Sequence, residues 1–394
     1  MLDTLKRLLR PAEQKATRTG RLIAFESGGR ARWTPRDYAA LAREGYTRNA
    51  IVYRAVRLTA EAVGSLSFAL YDGDDELTAH PLIDLMARPN PRQDGPGLLE
   101  AIAAQLLLSG NAYVEAVKVA GEGSPRELYA LRPDRMKVVP GPDGWPAAFD
   151  YTVTGRTVRF VQEGAPPPIL HLTLFNPLDD YYGLSPLEAA AIAIDTHNSA
   201  ATWNKALLDN AARPSGALVY AGGDGSMLTD AQYERLRREL TERYEGAANA
   251  GRPLVLEGGL DWKAMSLSPK DMDFMEAKHS AAREIALAFG VPPMLLAIPG
   301  DNTYSNYAEA NRVFYRQSVL PLANRIAVAL AQWLAPGFGT AKLTLAVDTD
   351  RIEALSADRA ALWERVTRAP FLSVNEKRAA TGYGAIEGGD VLMS

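Results

Sequence analysis

Paired aspartates are the residues of this sequence that are best placed to do chemistry. Three pairs are candidates: Asp179 with Asp180, Asp271 with Asp273, and Asp348 with Asp350. Carboxylates at such spacings can hold two divalent metal ions for phosphodiester hydrolysis. Each pair also lies in a loop or at the start of a predicted helix, where Asp is favoured as a cap. The sequence therefore favours capping or solvated aspartates, and it leaves a metal-dependent phosphodiesterase or nuclease as an alternative.

Other catalytic signatures are missing from the sequence. It contains no phosphate-binding loop, no nucleophile elbow, no zinc-protease helix and no dinucleotide fingerprint. The histidines, none at metal-ligand spacing from another, are His80, His171, His197 and His279. There is no cysteine, which excludes disulfides and thiolate sites and fits assembly in a reducing compartment. We predict no catalytic residues, no metal and no cofactor.

Length and composition describe a globular chain with room for two or three packed modules. It has 394 residues, 47% of them apolar and 23% charged. The net charge of -4 argues against a tight electrostatic grip on nucleic acid. No uncharged run reaches the roughly 18 residues that a membrane span requires. The sequence thus predicts no membrane association.

The most informative segment, Arg283 to Arg316, predicts two helices separated by a rigid loop. Gly290 is placed for a left-handed cap, Pro292 and Pro293 cannot continue the helix, and Ser305 is predicted to cap the next one. The tip of the loop, residues 301–306, offers amide and hydroxyl groups with a single charge. Such a tip suits contact with a polar surface that must not be held tightly, so it is the first functional candidate.

The first half of the chain predicts one α+β module, residues 45–180. A helical pattern ends at Gly64 and an alternating strand follows it to Asp72. A second helix, with Leu98, Ile102 and Leu106 on one face, stops near Gly110, and short strands follow. Residues 1–44 are expected to form a partly irregular arm.

Two long helices that flank a small insert are predicted next. Ser185 and Glu188 form a capping box for a helix to about Asn210 that carries many alanines, and the second helix spans 271–289. Between them the pattern predicts a strand at 217–220, a helix at 229–246 and a strand at 253–257. Arginines of this insert helix alternate with glutamates, which favours a solvated or subunit-facing helix over DNA binding.

The C-terminal part predicts a long helix from Ser305 to about Leu334, kinked at Pro321. A strand at 343–347 and a helix from Ser356 follow. The last helix should open at the capping box of Ser373 and Glu376 and end at Gly382.

Seven segments in the same order resemble the portal proteins of tailed bacteriophages, of the type named after phage HK97. They are NAIVYRAVRLTAEAVGSLSFALY (49–71), HPLIDLMARPNPRQ (80–93), LLLSGNAYVE (106–115), YYGLSPLEAA (181–190), NAARPSGAL (210–218), GRPLVLEGGLDWKAMSLSPKDMDFMEAK (251–278) and AFGVPPMLL (288–296). The closing segment, residues 372–390, is similar to the family's C-terminal segment. The resemblance covers most of the chain.

The resemblance implies an α+β portal fold and a dodecameric ring at one capsid vertex, around a channel for double-stranded DNA. Such a ring would conduct DNA during packaging and ejection and would join head to tail. In order, its parts would be an N-terminal arm (1–44), wing (45–184), first stem helix (185–212), clip (213–268), second stem helix (269–290), tunnel loop (291–305), long kinked helix with a strand returning to the wing (306–355) and short crown (356–394). It further implies sequence-independent contact with DNA by the tunnel-loop residues Asp301, Asn302, Thr303, Tyr304, Ser305 and Asn306.

The same resemblance implies the partners and the location. The clip would meet a head-tail adaptor through Arg235, Arg238, Glu242 and Glu257. The major capsid protein and the large terminase, which is the packaging ATPase, would be further partners. The ring would be assembled in the bacterial cytoplasm and reside in a virion or phage-like particle, and a phage, a prophage and a gene transfer agent stay open as carriers. A non-viral oligomeric scaffold is the other alternative.

Overall fold

The structure is a computed structural model that describes residues 38–73, 75–119, 123–209, 274–300, 304–339 and 342–392, four short strands outside these ranges, and the helical residues Ala231, Glu234, Arg235 and Arg238. The α-helices are α1 (Tyr38–Leu41), α2 (Ala50–Gly64), α3 (Pro81–Ala87), α4 (Gly95–Ser109), α5 (Pro186–Ala189), α6 (Ala191–Asp209), α7 (Phe274–Ala288), α8 (Tyr304–Phe314), α9 (Leu320–Leu334), α10 (Ser356–Arg368) and α11 (Val374–Ala380).

The strands are short and all their pairings are antiparallel. They are β1 (Ala24–Phe25), β2 (Ala31–Arg32), β3 (Phe68–Asp72), β4 (Asp75–Leu77), β5 (Asn111–Val117), β6 (Glu127–Leu131), β7 (Met136–Pro140), β8 (Pro146–Val153), β9 (Arg156–Val161), β10 (Ile169–Thr173), β11 (Gly216–Tyr220), β12 (Leu260–Ala264) and β13 (Leu343–Val347). They form three-stranded sheets in the orders β10-β5-β6, β13-β3-β4 and β7-β8-β9, and the pairs β1-β2 and β11-β12. The predicted α+β class is confirmed.

The core lies where α2, α4 and α9 meet. Ile102, Leu106, Ile326 and Leu330 are completely buried there. A Cβ on Gly64 would lie 2.8 Å from the carbonyl oxygen of Pro96, so glycine allows the close approach of α2 to α4. The core therefore joins the first half of the chain to the long C-terminal helix.

A strand that is distant in sequence completes the sheet beside this core. β13 pairs with β3, with Leu345 opposite Leu70, although β3 comes early in the chain and β13 follows the long helix. Both leucines are buried. After the long helix, the chain thus returns to the module that contains β3.

The first helical regions differ from prediction. Residues 38–44, part of the arm expected to be partly irregular, are helical: α1 continues into a wide helical turn, Ala42–Thr47. The predicted helix from Ser185 is interrupted at Ala190, between α5 and α6. The hydroxyl of Ser185 accepts the N–H of Glu188, as the predicted capping box requires.

The insert also differs from prediction. β12 was not predicted, although Leu260, Trp262 and Ala264 alternate with polar residues. Its pairing with β11 closes the insert at its base, where Gly216 lies opposite Ala264. Helical backbone within the predicted helix 229–246 agrees with that expectation, and the predicted strand 253–257 lies outside the described residues.

The long helix is continuous from Tyr304 to Leu334 but contains one wide turn, Tyr315–Val319. Pro321 follows this turn directly. Proline has no N–H and its ring clashes with the carbonyl four residues earlier, and a wide turn relieves both problems. In that turn the N–H of Leu320 donates to the carbonyl oxygen of Tyr315, five residues back. The predicted irregularity at Pro321 therefore takes the form of a wide turn.

Among the described residues, one helical run, Asn306–Phe338, is long and apolar enough to cross a membrane by length and composition alone. Half of its most apolar stretch is buried within the protein. The run contains α9, whose Ile326, Leu330 and Leu334 belong to the core. Burial against α2 and α4 accounts for its apolar character.

Candidate nucleic-acid interface

The loop after α7 is tied to the helices on both sides of it. Gly290 has a φ of 64°, which confirms the predicted left-handed cap. The N–H of Val291 donates to the carbonyl oxygen of Ala286 at 2.9 Å. The hydroxyl of Ser318, in the wide turn of the long helix, donates to the carbonyl oxygen of Gly290 at 2.5 Å. The base of the loop is therefore fixed between two helices.

A short helical turn, Pro293–Leu296, continues the loop. The N–H of Ile298 donates to the carbonyl oxygen of Pro293 at 3.1 Å, and Ala297 between them has a φ of 56°. Leu296 and Ile298 are buried, whereas Pro299 and Gly300 are exposed. Apolar anchors thus hold this limb and leave its far end at the surface.

Arg283 on α7 holds that far end. Its guanidinium donates to the carbonyl oxygen of Pro299 at 2.6 Å. A Cβ on Gly300 would lie 3.8 Å from the same guanidinium. The guanidinium of Arg283 is therefore bonded to the backbone of the loop.

The tip of the loop is only partly within the described residues. Asp301, Asn302 and Thr303 lie outside them. α8 already includes Tyr304, so the prediction that Ser305 caps this helix is wrong: Ser305 lies in its first turn. Asn306 and Tyr307 are exposed in the same helix. The structure therefore places the last three predicted contact residues at the start of α8.

Charged side chains begin one turn further along α8. Arg312 pairs with Glu309 and donates to Asp358 on α10 at 3.0 Å. These partners, Glu309 first, raise the pKa of Arg312. Between Glu284 and Glu309 the sequence contains a single charged residue, Asp301. The sequence of the loop is thus nearly uncharged, and the arginines that flank it, Arg283 and Arg312, are engaged by backbone or acidic groups.

A buried polar cluster joins the core to the helix pair α6 and α7. The Oδ1 of Asn49 caps α2 by accepting the N–H groups of Ile51 and Val52. Its amide nitrogen donates to Oδ1 of Asn198 at 2.9 Å and lies 3.2 Å from Nδ1 of His197. Burial lowers the pKa of His197, and the nearby Lys278 and His279 on α7 lower it further. A neutral imidazole at this junction can accept the Asn49 amide.

The structure describes two of the four predicted clip contacts. Arg235 and Arg238 lie on helical backbone and are exposed. Glu242 and Glu257 lie outside the described residues. The structure therefore supports surface positions for the two arginines.

The aspartates that raised the nuclease alternative have structural partners. Asp179 accepts the N–H groups of Tyr181 and Tyr182, and Asp348 accepts that of Asp350. Asp348 and Asp350 also pair with Arg351 and Arg359. In the part of the chain that the structure describes, no three His, Asp or Glu side chains are grouped so as to hold a metal ion. Asp271 and Asp273 lie outside that part.

Three histidines have structural roles. His80 caps α3 by accepting the N–H of Leu82 at 3.1 Å. His171 stacks on Tyr113 with ring centroids 4.3 Å apart, and its Nε2 lies 3.1 Å from Oδ1 of Asn111. His197 belongs to the junction described above. Each ring thus serves local packing or capping.

Known proteins match nearly the whole chain. The family described as phage portal protein matches residues 50–382. The portal protein of Enterobacteria phage HK97 is 25% identical over 354 residues, 87% of this chain and 80% of the relative. A chain in the neck of an empty gene transfer agent (GTA) particle, computed with C6 symmetry, is 54% identical, with a TM-score of 0.72 over 91% of this chain and 96% of that chain. A chain in the neck of a native GTA particle, computed with C12 symmetry, is 53% identical, with a TM-score of 0.70 over 90% and 95% of the two chains.

The chain belongs to the phage portal protein family. The resemblance to HK97-type portal proteins and the portal function at a capsid vertex that it implied are confirmed.

Proposed function

We propose that twelve copies of this chain form a ring at one capsid vertex and conduct double-stranded DNA during packaging and ejection. The matches in GTA necks computed with C6 and C12 symmetry support a ring, and the C12 case supports twelve copies. The role is mechanical rather than catalytic, because its working part is an opening of fixed width.

In this proposal each part of the fold has a place in the ring. The core module with its sheets (45–184) is the wing, α5 to α7 form the stem, and the β11-β12 insert is the clip. The long helix and β13 (306–355) connect the channel to the wing, and residues 356–394 form the crown. The contacts of α6 with α7, and of β13 with β3, support this division.

One observation carries the proposal: a loop fixed at its base leads to a nearly uncharged tip between two helices. The bonds of Ser318 and Arg283 and the burial of Ile298 hold the loop at a defined height along α7. Repeated around an axis, such loops would make a constriction of constant diameter.

Sparse charge suits passage of DNA. Each Lys or Arg contact with a phosphate releases counterions and adds affinity, so a ring of them would trap the duplex. Amide and hydroxyl groups at Asn302, Thr303 and Asn306 can hydrogen-bond phosphates without reading bases. Transit would therefore be independent of DNA sequence.

The partners follow from the position in the particle. The partners would be the major capsid protein, the large terminase and a head-tail adaptor. The adaptor would dock on the clip, with the exposed Arg235 and Arg238 on that surface. The ring would be assembled in the bacterial cytoplasm, in keeping with a chain that has no cysteine.

The carrier we favour is a gene-transfer-agent-like particle. Identity to the chains in GTA necks is 53–54%, against 25% to the HK97 portal protein. The genes next to this one decide the matter: capsid and tail genes without a replication module would support the assignment, and a complete phage genome would contradict it.

The double variant Asn302→Arg with Asn306→Arg tests the channel. Two arginines per copy would place a ring of new phosphate contacts at the constriction, so we expect DNA content per particle or DNA release to fall by about tenfold or more. Particle DNA is measured by quantitative PCR after nuclease treatment, and rings are counted by negative-stain microscopy.

A matched control adds the same charge elsewhere. The double variant Thr157→Arg with Val158→Arg, on the exposed strand β9, should leave particle DNA unchanged. Normal DNA content and release in the loop variant, with intact rings, would show that the tip does not line the channel.

A further inference from the structure

The C-terminal segment, residues 356–392, is ordered with almost no apolar core of its own. Val366 is its one buried hydrophobic side chain among the described residues. Its other buried residues are Ser373, Asn375 and Gly389. Helices of 13 and 7 residues are too short to be stable in water without tertiary packing.

Polar contacts organise the segment instead. The amide nitrogen of Asn375 donates to the carbonyl oxygen of Ile386 at 3.0 Å and to Asp390 at 2.8 Å, and its Oδ1 accepts the N–H of Ile386 at 2.8 Å. Ser373 and Glu376 form the predicted capping box of α11. The tail is thus folded back onto α11 by one asparagine.

Large apolar side chains of the same segment face outward. Those exposed are Trp363, Phe371, Tyr383, Ile386, Val391 and Leu392. Phe371 is 73% exposed and Val391 is 71% exposed. A segment that buries one valine and exposes six large apolar groups has the composition of an interface core without its partner.

Links from the segment to the rest of its own chain are ionic. Asp358 accepts from Arg312 at 3.0 Å, and Arg359 pairs with Asp350 at 2.9 Å. Both pairs lie in the first turn of α10. They tether one end of the segment, and the guanidinium of Arg359 also lies over the ring of Trp363, 5.2 Å from its centroid. Phe371, Ile386, Val391 and Leu392 lie outside these tethers and are exposed.

We propose that the exposed apolar face of residues 356–392 packs against the same segment region of the adjacent copy in the ring. This inference rests on the proposed ring. It commits to a second copy because the matching GTA neck structures are symmetric, so each copy has a neighbour at a fixed offset. A head-to-tail contact around an axis needs two different surfaces on each copy, and the six groups are spread over α10, the turn at Phe371 and the tail.

The segment then completes its core only upon assembly. Its helices should exchange amide hydrogens rapidly in a monomer and slowly in the ring, since an element without buried apolar contacts opens at little cost in free energy. Hydrogen exchange followed by mass spectrometry on the full chain, in monomer and ring fractions from size exclusion, measures this directly.

The double variant Phe371→Asp with Leu392→Asp places carboxylates on the proposed contact. We expect the concentration at which half of the chains are in rings to rise by about tenfold or more, because truncation or charging of central apolar residues dominates interface energetics. Mass photometry measures that concentration. The thermal melting of the monomer should stay unchanged, which separates loss of assembly from loss of folding.

The matched control is the exposed pair Glu364 and Arg368 on α10. Their side chains are 60% and 78% exposed, so Glu364→Ala with Arg368→Ala should assemble like the wild type.

Equal exchange of residues 356–392 in monomer and ring, or normal assembly of the Asp variant, would overturn the inference while leaving the ring intact. Protection that arises only in the complete particle would assign the face to another particle component and would also overturn it. A wild-type chain that forms no ring would instead overturn the proposed function on which the inference rests.

Discussion

The core at the contact of α2, α4 and α9, which belongs to the proposed wing and is called the wing core below, and the C-terminal segment are built on opposite principles. At the contact of α2, α4 and α9, apolar side chains such as Ile102 and Ile326 are completely buried. In residues 356–392 a single valine is buried and an asparagine organises the fold. The core can be stable in one chain, whereas the segment holds its apolar groups outward. If the proposed contact between neighbouring copies holds, the stability of the monomer and the stability of the assembly are encoded in different parts of the chain.

The largest effect is expected in the core. Ile326→Ala should lower the free energy of unfolding by about 3–4 kcal/mol, because it removes a completely buried side chain and leaves a cavity. Val366→Ala in the C-terminal segment should cost the monomer less than about 1.5 kcal/mol, since fewer atoms are removed and fewer neighbours surround them. Urea denaturation of the monomer measures both.

Equal losses in these two variants would break the comparison. They would show that residues 356–392 unfold together with the wing as one cooperative unit.

Acid should act on the wing next. Burial lowers the pKa of His171 from its ordinary 6.5 to about 4. The folded state therefore favours the neutral imidazole: its contribution to stability is complete above pH 6.5 and is lost as the pH falls towards 4. The shift corresponds to about 3 kcal/mol between those limits.

The slope of stability against pH between 6.5 and 4 measures this effect. His171→Gln removes the titrating group, so its slope should be shallower than that of the wild type. Because residues 356–392 contain no histidine, their hydrogen exchange should not follow this titration. Identical slopes for the two proteins would show that His171 is not the group responsible.

The smallest global effect is expected from the asparagine of the C-terminal segment. Asn375→Ala removes the bonds to Ile386 and Asp390, so residues 381–392 should exchange faster. The free energy of global unfolding should change by less than about 1 kcal/mol, because a locally opening segment contributes little to it. A larger global loss would mean that this segment supports the wing core.

Local patterns predicted the elements with strong end signals. The helix end near Gly110, the left-handed cap at Gly290 and the capping box at Ser373 occur as predicted, because caps depend on residues within one turn. The patterns did not predict the break at Ala190 or strand β12. Alanines carry no local signal for a break, and β12 is defined by its pairing with β11.

The candidate site also has features that the sequence predicted and features that it did not. Sequence alone located the rigid loop and its sparse charge, since these depend on glycine, proline and charge spacing. It did not reveal that Ser318 and Arg283 hold the loop, because these bonds join residues 28 and 16 positions away from their acceptors. Contact with DNA by any of the six residues 301–306 stays a prediction.

What the sequence by itself determined is the order of helices and strands, the uncharged loop between two helices and membership of the portal family, because propensity, capping and motif order are local or collinear properties. Only the tertiary structure decided that β13 pairs with β3, that a wide turn accommodates Pro321, and that the C-terminal segment keeps its apolar side chains outside. These features depend on which surfaces meet in space. Burial is a property of the whole packed chain and cannot be read from any one stretch of it.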